Sequence, residues 1–362
     1  MRGMNEACST ILLSVLVPVH NEEDALGGFV ARLLPVLAEL EQTEGCRTEV
    51  VFIDNCSTDA TFRKLSDFVG ANERLRVYRL SRNVGFQRSV ITGYSRVRGH
   101  ACVQIDCDLE DPPELIIEFY RKWREGYPIV YGIRRRRHES IAMRAIRSMF
   151  YSTVDFLSDV HIPPHAGDFR LIDRRIIDIV CQVNDYQPYL RGLIASLGFA
   201  STGIEYDRDP RSAGQSSFTL SNYASMALDG ILQSSNRPLY LSIAFAGLGL
   251  VISIVMALWY LVTALITDVR QPGFATLVVV QLLSFSLTIL CIGILSLYVG
   301  RIYRQVLKRP LSIVEIAASN RAGRLRTAEE SGATAVFWPG QPIVSAPDQE
   351  SAEPEQRPAS TP

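Results

Sequence analysis

The sequence predicts an α/β domain built on a mostly parallel, doubly wound sheet, followed by a two-helix transmembrane hairpin. Three observations predict it. Apolar strand patterns alternate with helix patterns from about residue 11 to 132, the signature of a parallel sheet covered by helices. Pro238–Thr267 and Gln271–Gly300 contain no Asp, Glu, Lys or Arg. The apolar run Val103-Gln104-Ile105 leads directly into Asp106 and Asp108 and then into Pro112-Pro113-Glu114, a helix start.

The elements follow in order. Ile11–Val19 is a near-continuous apolar strand, as a sheet buried on both faces requires. Asn21 to Leu40 reads as a helix with acidic residues in its first turn, which suits the helix dipole. Glu49–Asp54 is the second strand, and Ser57-Thr58-Asp59 caps the next helix. Leu75–Leu80 is the third strand, with a helix from about Val84 to Val97. Ala101–Asp106 is the fourth, and Ile129–Gly132 is a short fifth after a helix starting at Pro113. Glu139–Leu157 is a basic amphipathic helical stretch within a mixed region. Phe218–Leu232 is a second amphipathic candidate, and its position beside the apolar runs favours the membrane interface.

Each uncharged run exceeds the roughly 20 helical residues that cross a hydrocarbon core about 30 Å thick. The link Asp268-Val269-Arg270 is short, so the two runs form a hairpin. Arg237 precedes it, and Arg301, Arg304, Lys308 and Arg309 follow it. The positive-inside rule then puts both chain ends in the cytoplasm of a multi-pass inner (plasma) membrane protein. The expected organisation is an N-terminal extension at 1–10, the α/β domain at 11–217 and an interfacial helix at 218–237. Spans follow at 238–267 and 271–300, then a basic juxtamembrane segment at 301–317 and a disordered tail at 318–362 rich in Ala, Ser, Glu, Gln and Pro.

Composition excludes some classes. Lys and Arg number 37 against 38 Asp and Glu, so there is no charge signature for nucleic acid. Positive charge is local, densest at Arg134-Arg135-Arg136-Arg137-His138. Such a run is an ordinary solvated surface, unless an anionic membrane or a diphosphate lies beside it. Seven scattered cysteines without a C-x-x-C pair read as reduced thiols and give no zinc-ligand spacing. No secretory signal is expected, because Ile11–Val19 is too short for one.

The chemistry is expected at the strand exits, where open α/β sheets bind ligands. Alternate strand residues point the same way, so Asp106 and Asp108 converge. Two carboxylates there suit Mg²⁺ or Mn²⁺ carrying a diphosphate. After the first strand, Pro18 sets the turn, while Asn21 and Glu22 either meet a nucleoside or cap the helix. Asp54 ends the second strand, where a carboxylate typically reads a ribose or base. Arg82, after the third strand, is a phosphate candidate or a surface side chain.

Four motifs end successive strands: Val17-Pro18-Val19-His20-Asn21-Glu22, Asp54-Asn55-Cys56-Ser57-Thr58-Asp59, Ser81-Arg82-Asn83-Val84-Gly85 and Asp106-Cys107-Asp108-Leu109-Glu110-Asp111-Pro112-Pro113-Glu114. The ordered set resembles family 2 glycosyltransferases with the GT-A fold. More narrowly, it resembles the dolichyl-phosphate mannose synthase and bacterial polyprenyl-phosphate glycosyltransferase group. The likeness continues through Ala166–Leu171, Tyr189–Leu193 and Arg211–Ser216, and the twin spans resemble the bactoprenol glucosyltransferase branch. It covers about residues 11 to 310.

The resemblance implies that Pro18, Asn21, Glu22 and Asp54 hold the nucleoside. Asp106 and Asp108, with Glu110, would hold the metal and the sugar nucleotide. Asp108, Asp168, Arg134 and Arg170 would be the catalytic residues, with Asp168 on the acceptor side of the reaction centre. Arg134, Arg211 and Ser216 would contact diphosphate or acceptor phosphate. The implied reaction is inverting transfer of one sugar, first choice glucose from UDP-glucose, to undecaprenyl phosphate. Other UDP- or GDP-sugars are the alternatives, and the implied assembly is a membrane homo-oligomer, a tetramer by analogy.

Two departures stand out. Asn55-Cys56 replaces the Asp-Gly of Asp-Asp-Gly-Ser, and Ser217 stands where many relatives have Lys. No Arg-Trp pair exists, so the Gln-x-x-Arg-Trp motif of polymerising relatives is absent and single transfer is expected. The competing classes are a non-catalytic binder of nucleotide-sugar or lipid phosphate, a transporter, and a glycosyltransferase with a soluble acceptor. Spans without ionisable residues argue against transport.

Overall fold

The computed structural model describes residues 11–135, 166–207 apart from 184 and 187, 237–266, 273–307, 309–321, 324–325 and 335–337. Four parallel strands form the centre of the sheet. They are β1 (Leu12–Val19), β2 (Arg47–Asp54), β3 (Leu75–Leu80) and β4 (Ala101–Gln104), in the order β3-β2-β1-β4. Helices α1 (Leu26–Glu44), α2 (Thr61–Ala71) and α3 (Phe86–Tyr94) connect them. Beyond β4 come α4 (Leu115–Arg124), β5 (Ile129–Arg134), β6 (Ala166–Asp173), α5 (Arg174–Gln182), α6 (Leu190–Ser196) and β7 (Ser201–Tyr206).

Alternation along β1 divides the core into two layers. Leu13, Val15 and Val17 join Phe29, Leu33 and Leu37 of α1, Leu65 of α2 and Phe119 of α4 on one face. Leu16 joins Val90 and Tyr94 of α3, Ile176 and Val180 of α5 and Ile194 of α6 on the other. Gly93 is required on that second face, since a Cβ there would stand 2.3 Å from Leu16 Cδ1. Both faces are therefore covered, as the continuous apolar strands predict.

The sheet is mostly parallel, as expected, and its antiparallel pairs in the right half are those of one strand. β6 inserts between β4 and β5 and runs antiparallel to both, while β5 and β7 pair in parallel. Reversal brings the start of β6 to the same sheet edge as the ends of β1, β2 and β4. The pairing Gln104↔Arg170, continued two residues further, sets Asp106 opposite Asp168.

Beyond the domain, α7 (Arg237–Ile266) and α8 (Phe274–Val306) pack against one another, with Gly249 facing Leu287. In α8, Val280–Val306 is long and apolar enough to cross a membrane, and none of its most apolar stretch is buried within the protein. The continuous apolar stretch of α7 among the described residues is Ile243–Met256. Further along α7, Leu258 and Trp259 are 56% and 69% exposed, an unfavourable display in water that a hydrocarbon environment removes.

The chain then returns to the sheet. β8 (Ser312–Arg321) pairs antiparallel with β3. β10 (Ala335–Phe337) pairs with β8, and the short β9 (Arg324–Leu325) pairs with the end of β8. This corrects the expected juxtamembrane segment at 301–317 and tail from 318. Residues 312–321 are a strand because Leu311 and Val314 pack into the α3 face while Ala318 packs into the α1 face. The helical candidates Glu139–Leu157 and Phe218–Leu232 lie outside the described residues.

Candidate active site

The exits of β1 and β2 are laced together, and the loops after β1, β2 and β4 are backbone-constrained. Asn21 N–H donates to Ser57 Oγ (3.0 Å), and Asn21 Oδ1 accepts from Thr58 N–H (2.8 Å). Glu22 N–H donates to Thr61 Oγ1 (2.9 Å), and Glu23 Oε2 accepts from Ala60 N–H (2.9 Å). Among the described residues, the non-glycine residues with positive φ are Asn21, Cys56 and Leu109. All three lie in these loops. Such conformations persist where the surroundings enforce them and cluster at functional sites.

The four expected nucleoside residues differ in exposure. Asn21 is exposed and Glu22 is half-buried, both at the mouth of the site. Pro18 is buried inside β1 opposite Ile53, so it belongs to the strand and the turn falls at His20-Asn21. Asp54 is fully buried. Its Oδ1 accepts from Ser57 N–H (3.0 Å) and from the Ser57 hydroxyl, and its Oδ2 lies 3.6 Å from Arg79 Nε. Asp54 thus shapes the loop through Oδ1, while its Oδ2 is buried without a hydrogen bond among the described residues. Cys56 takes φ 60° where the family pattern has glycine, so the loop keeps its shape despite the substitution.

The carboxylates gather at the β4 exit. Asp108 Oδ1 accepts from Glu110 N–H (3.0 Å) across Leu109 at φ 61°, a turn that bends the chain back past Asp106. Burial, then the charges of Asp168, Asp108 and Asp111, push Asp106 up to about 8; Arg134 offsets this only in part. Like charges crowded in a low-dielectric site call for a counter-charge. Among the described residues, no three carboxylate, thiol or imidazole groups converge as a ready-made cation site. The expected trio of Asp106, Asp108 and Glu110 is thus not preassembled.

Two arginine systems surround these carboxylates. Asp168 receives both Nε and Nη2 of Arg191 (2.9 and 2.6 Å) and Nη2 of Arg170 (3.2 Å). Burial pushes its carboxyl up, but Arg191, then Arg170 and Arg134, outweigh burial and hold it below the ordinary value. Arg170 is 1% exposed and therefore lies behind Asp168, so the catalytic contact expected of it becomes a positioning one. Asp111, also buried, accepts from Arg134 Nη2 (3.1 Å) and from the Tyr206 hydroxyl. Arg134 also donates to Tyr206 Oη (3.2 Å), so much of its donor capacity is committed within the protein. Arg211 and Ser216 lie outside the described residues. Sequence reasoning assigned no role to Arg191, Asp111 or Tyr206. Arg191 and Asp111 stood inside quoted motifs; Tyr206 carried no local signal.

The glycosyl transferase family 2 model matches residues 14–180, which span β1 through most of α5. An uncharacterized glycosyltransferase of Synechocystis sp., sll0501, is 36% identical over 306 residues, covering 84% of this chain and 95% of that protein. The chain belongs to glycosyltransferase family 2. YkcC of Bacillus subtilis, another uncharacterized glycosyltransferase, is 35% identical to this family 2 enzyme over 310 residues, 84% of the chain and 94% of the relative. The bactoprenol glucosyl transferase derived from the SfII prophage in Shigella flexneri is 29% identical over 308 residues, 84% and 97% of the two. Glucosyl-3-phosphoglycerate synthase of Mycobacterium tuberculosis superposes on 61% of the chain and 76% of its own, at 16% identity and TM-score 0.41. That likeness is too loose to bear on chemistry.

Proposed function

We propose that this family 2 glycosyltransferase moves a single sugar, glucose from UDP-glucose, onto the phosphate of a polyprenyl phosphate, undecaprenyl phosphate, at the cytoplasmic face of the membrane. One observation carries the reading. The carboxylate cluster of Asp106, Asp108 and Asp168 sits on the sheet that β8 rejoins directly after the apolar helix α8. A charged transfer site is thereby tied to a membrane-sized helix. An even number of crossings between β7 and β8 keeps both on one side, which supports a two-span hairpin, and Arg237, Arg301 and Arg304 beside it favour the cytoplasm for that side. The bactoprenol glucosyl transferases among its relatives support the acceptor and the sugar.

The donor set fits a divalent cation, Mg²⁺ or Mn²⁺. Asp106 and Asp108 supply hard oxygens, and Asp106 is pushed towards neutrality without a counter-charge. Such an ion usually takes one or two protein carboxylates and completes its shell with substrate phosphates and water, so a preassembled trio is not needed. Bound there, the cation would neutralise charge on the diphosphate leaving group.

The chain's own residues do the rest. Asn21 and Glu22 line the nucleoside side, held by the β1–β2 loop lacing. Arg191 and Arg170 fix Asp168 as a carboxylate, and the three together carry net positive charge beside an incoming phosphate. A phosphate monoester is already anionic near neutral pH, so Asp168 orients the acceptor rather than deprotonating it. The acceptor oxygen attacks the anomeric carbon opposite the leaving diphosphate and inverts it. Catalysis then rests on positioning and electrostatics.

The test is nucleoside diphosphate release by the purified full-length protein with undecaprenyl phosphate, Mg²⁺ or Mn²⁺, and a panel of UDP- and GDP-sugars. Release that needs both the lipid and the metal, greatest with UDP-glucose, supports the reading. Equal release with a soluble sugar acceptor would contradict it.

A further inference from the structure

A cleft of about 430 Å³ lies where the end of α8 meets the loop between α5 and α6. Tyr298, Arg301, Arg304 and Gln305 line it from α8, and Asp185 and Tyr186 line it from the loop. The sequence alone ends the span at Gly300, yet α8 continues to Val306. Its last turns, at about 1.5 Å per residue, carry Arg301 and Arg304 out of the apolar stretch and against the catalytic domain. Gln305 Oε1 accepts from Tyr186 N–H (2.9 Å), which fixes the junction.

We propose that this cleft is a loading site that captures the phosphate monoester headgroup of the acceptor lipid before it reaches Asp168, with the isoprenoid chain lying along α8. The inference rests on the acceptor reading above and deepens it. Charge favours an anion there. Arg301 and Arg304 line the cleft. Behind it, Arg88 stacks 4.1 Å over the Tyr186 ring and donates through Nε to the Tyr186 carbonyl (3.0 Å). Arg82 also reaches Tyr186.

Asp185 and the carbonyl end of α8 oppose an anion. The helix end counts for about half a charge, so four guanidiniums outweigh one carboxylate and that partial charge. A monoester with close to two charges and three free oxygens matches forked arginine donors better than a diester does. The two tyrosines suit the membrane–water boundary.

The loop that lines the cleft continues to the reaction centre. Gln87, beside Arg88 on α3, accepts through Oε1 from Leu190 N–H (3.2 Å). The next residue, Arg191, grips Asp168. The loop that lines the loading site is therefore continuous with the arginine that holds Asp168, the carboxylate that orients the phosphate at transfer.

The experiment measures binding of undecaprenyl phosphate to the full-length protein in detergent by native mass spectrometry, with transfer kinetics in parallel. Arg301→Gln/Arg304→Gln is expected to weaken lipid binding, and raise the lipid KM, by about tenfold or more, the scale of one lost charge-assisted hydrogen bond. UDP affinity is expected to stay unchanged. Tyr186→Leu, on the opposite wall, is expected to weaken lipid binding in the same direction, guarding against misfolding of α8.

Wild-type lipid affinity in both variants would overturn the site. So would equal competition by phosphatidylglycerol, a diester, or by inorganic phosphate. If the variants keep the wild-type lipid KM while the wild type transfers sugar, the cleft assignment fails and the reaction stands. If lipid binds and the variants lose it while no donor yields transfer, the site stands and the reaction fails.

Discussion

Arg191 holds Asp168 by both carboxylate oxygens, at 2.9 and 2.6 Å, from the first turn of α6. Asp168 lies near the start of an antiparallel strand, opposite the carboxylates at the end of β4. Burial and then Asp168, the foremost of the charges, already push Asp106 up to about 8, and without Arg191 the Asp168 charge would lose its main partner in that cluster. Arg191→Gln is therefore expected to lower sugar transfer about a hundredfold, the scale of a misplaced reacting group. Nucleotide affinity should be retained, because Arg191 lies on the acceptor side. Steady-state kinetics beside UDP titration check this; an equal loss of UDP affinity would move Arg191 to the donor side.

Asp108→Asn is expected to abolish metal-dependent transfer while leaving the protein folded. Its side chain bends the β4 exit through the Glu110 N–H, and an Asn oxygen keeps that hydrogen bond while removing the charge. Transfer and circular dichroism on the same sample test it. Turnover like that of the wild type would remove Asp108 from the metal site.

Cys56→Gly is expected to stabilise the protein by about 1 kcal/mol, because Cys56 adopts φ 60° and a side chain there is disfavoured by that order. The weak contact of its thiol with the Ser81 carbonyl at 3.9 Å is a small loss. Thermal unfolding in detergent reads the shift; a fall in stability would mean that the thiol packing matters more than the backbone.

Much of the left half of the sheet was legible in the sequence, because β1, β2 and β3 are buried on both faces and read as apolar runs. The four strand-end motifs located the site for the same reason: each loop carries capping and charged residues at the point where apolar alternation stops. The insertion of β6 was not legible. Its neighbours β4 and β5 are far from it in sequence, and Ala166-Gly167-Asp168-Phe169-Arg170 has no apolar run. The return of β8 was hidden by its small, mixed residues, which read as tail until β3 supplies a pairing edge. Arg170 reads as catalytic by the likeness at Ala166–Leu171; its burial behind Asp168 depends on the register with Gln104.

Asp173 caps α5, accepting from Arg175 N–H at 3.0 Å, and also accepts from Trp123 Nε1–H at 2.8 Å. Burial raises its carboxyl, but Trp123 and Arg175 outweigh burial and hold it below the ordinary value. A lowered folded value means that this stability is present above about pH 4, the unfolded value, and is lost as pH falls through the folded value. Asp173→Ala is expected to destabilise by about 1 kcal/mol at pH 7, with the difference shrinking below pH 4. Unfolding of both proteins across that range checks the sign; a difference that grows on acidification would contradict it.

The most direct test of the central claim is the mass of the lipid product formed by purified full-length protein from UDP-glucose, undecaprenyl phosphate and Mg²⁺. The account predicts one added hexose on the lipid phosphate, lost on chelation of the metal and absent with Asp108→Asn. A lipid of unchanged mass under these conditions, or a ladder of successive hexoses, would contradict it.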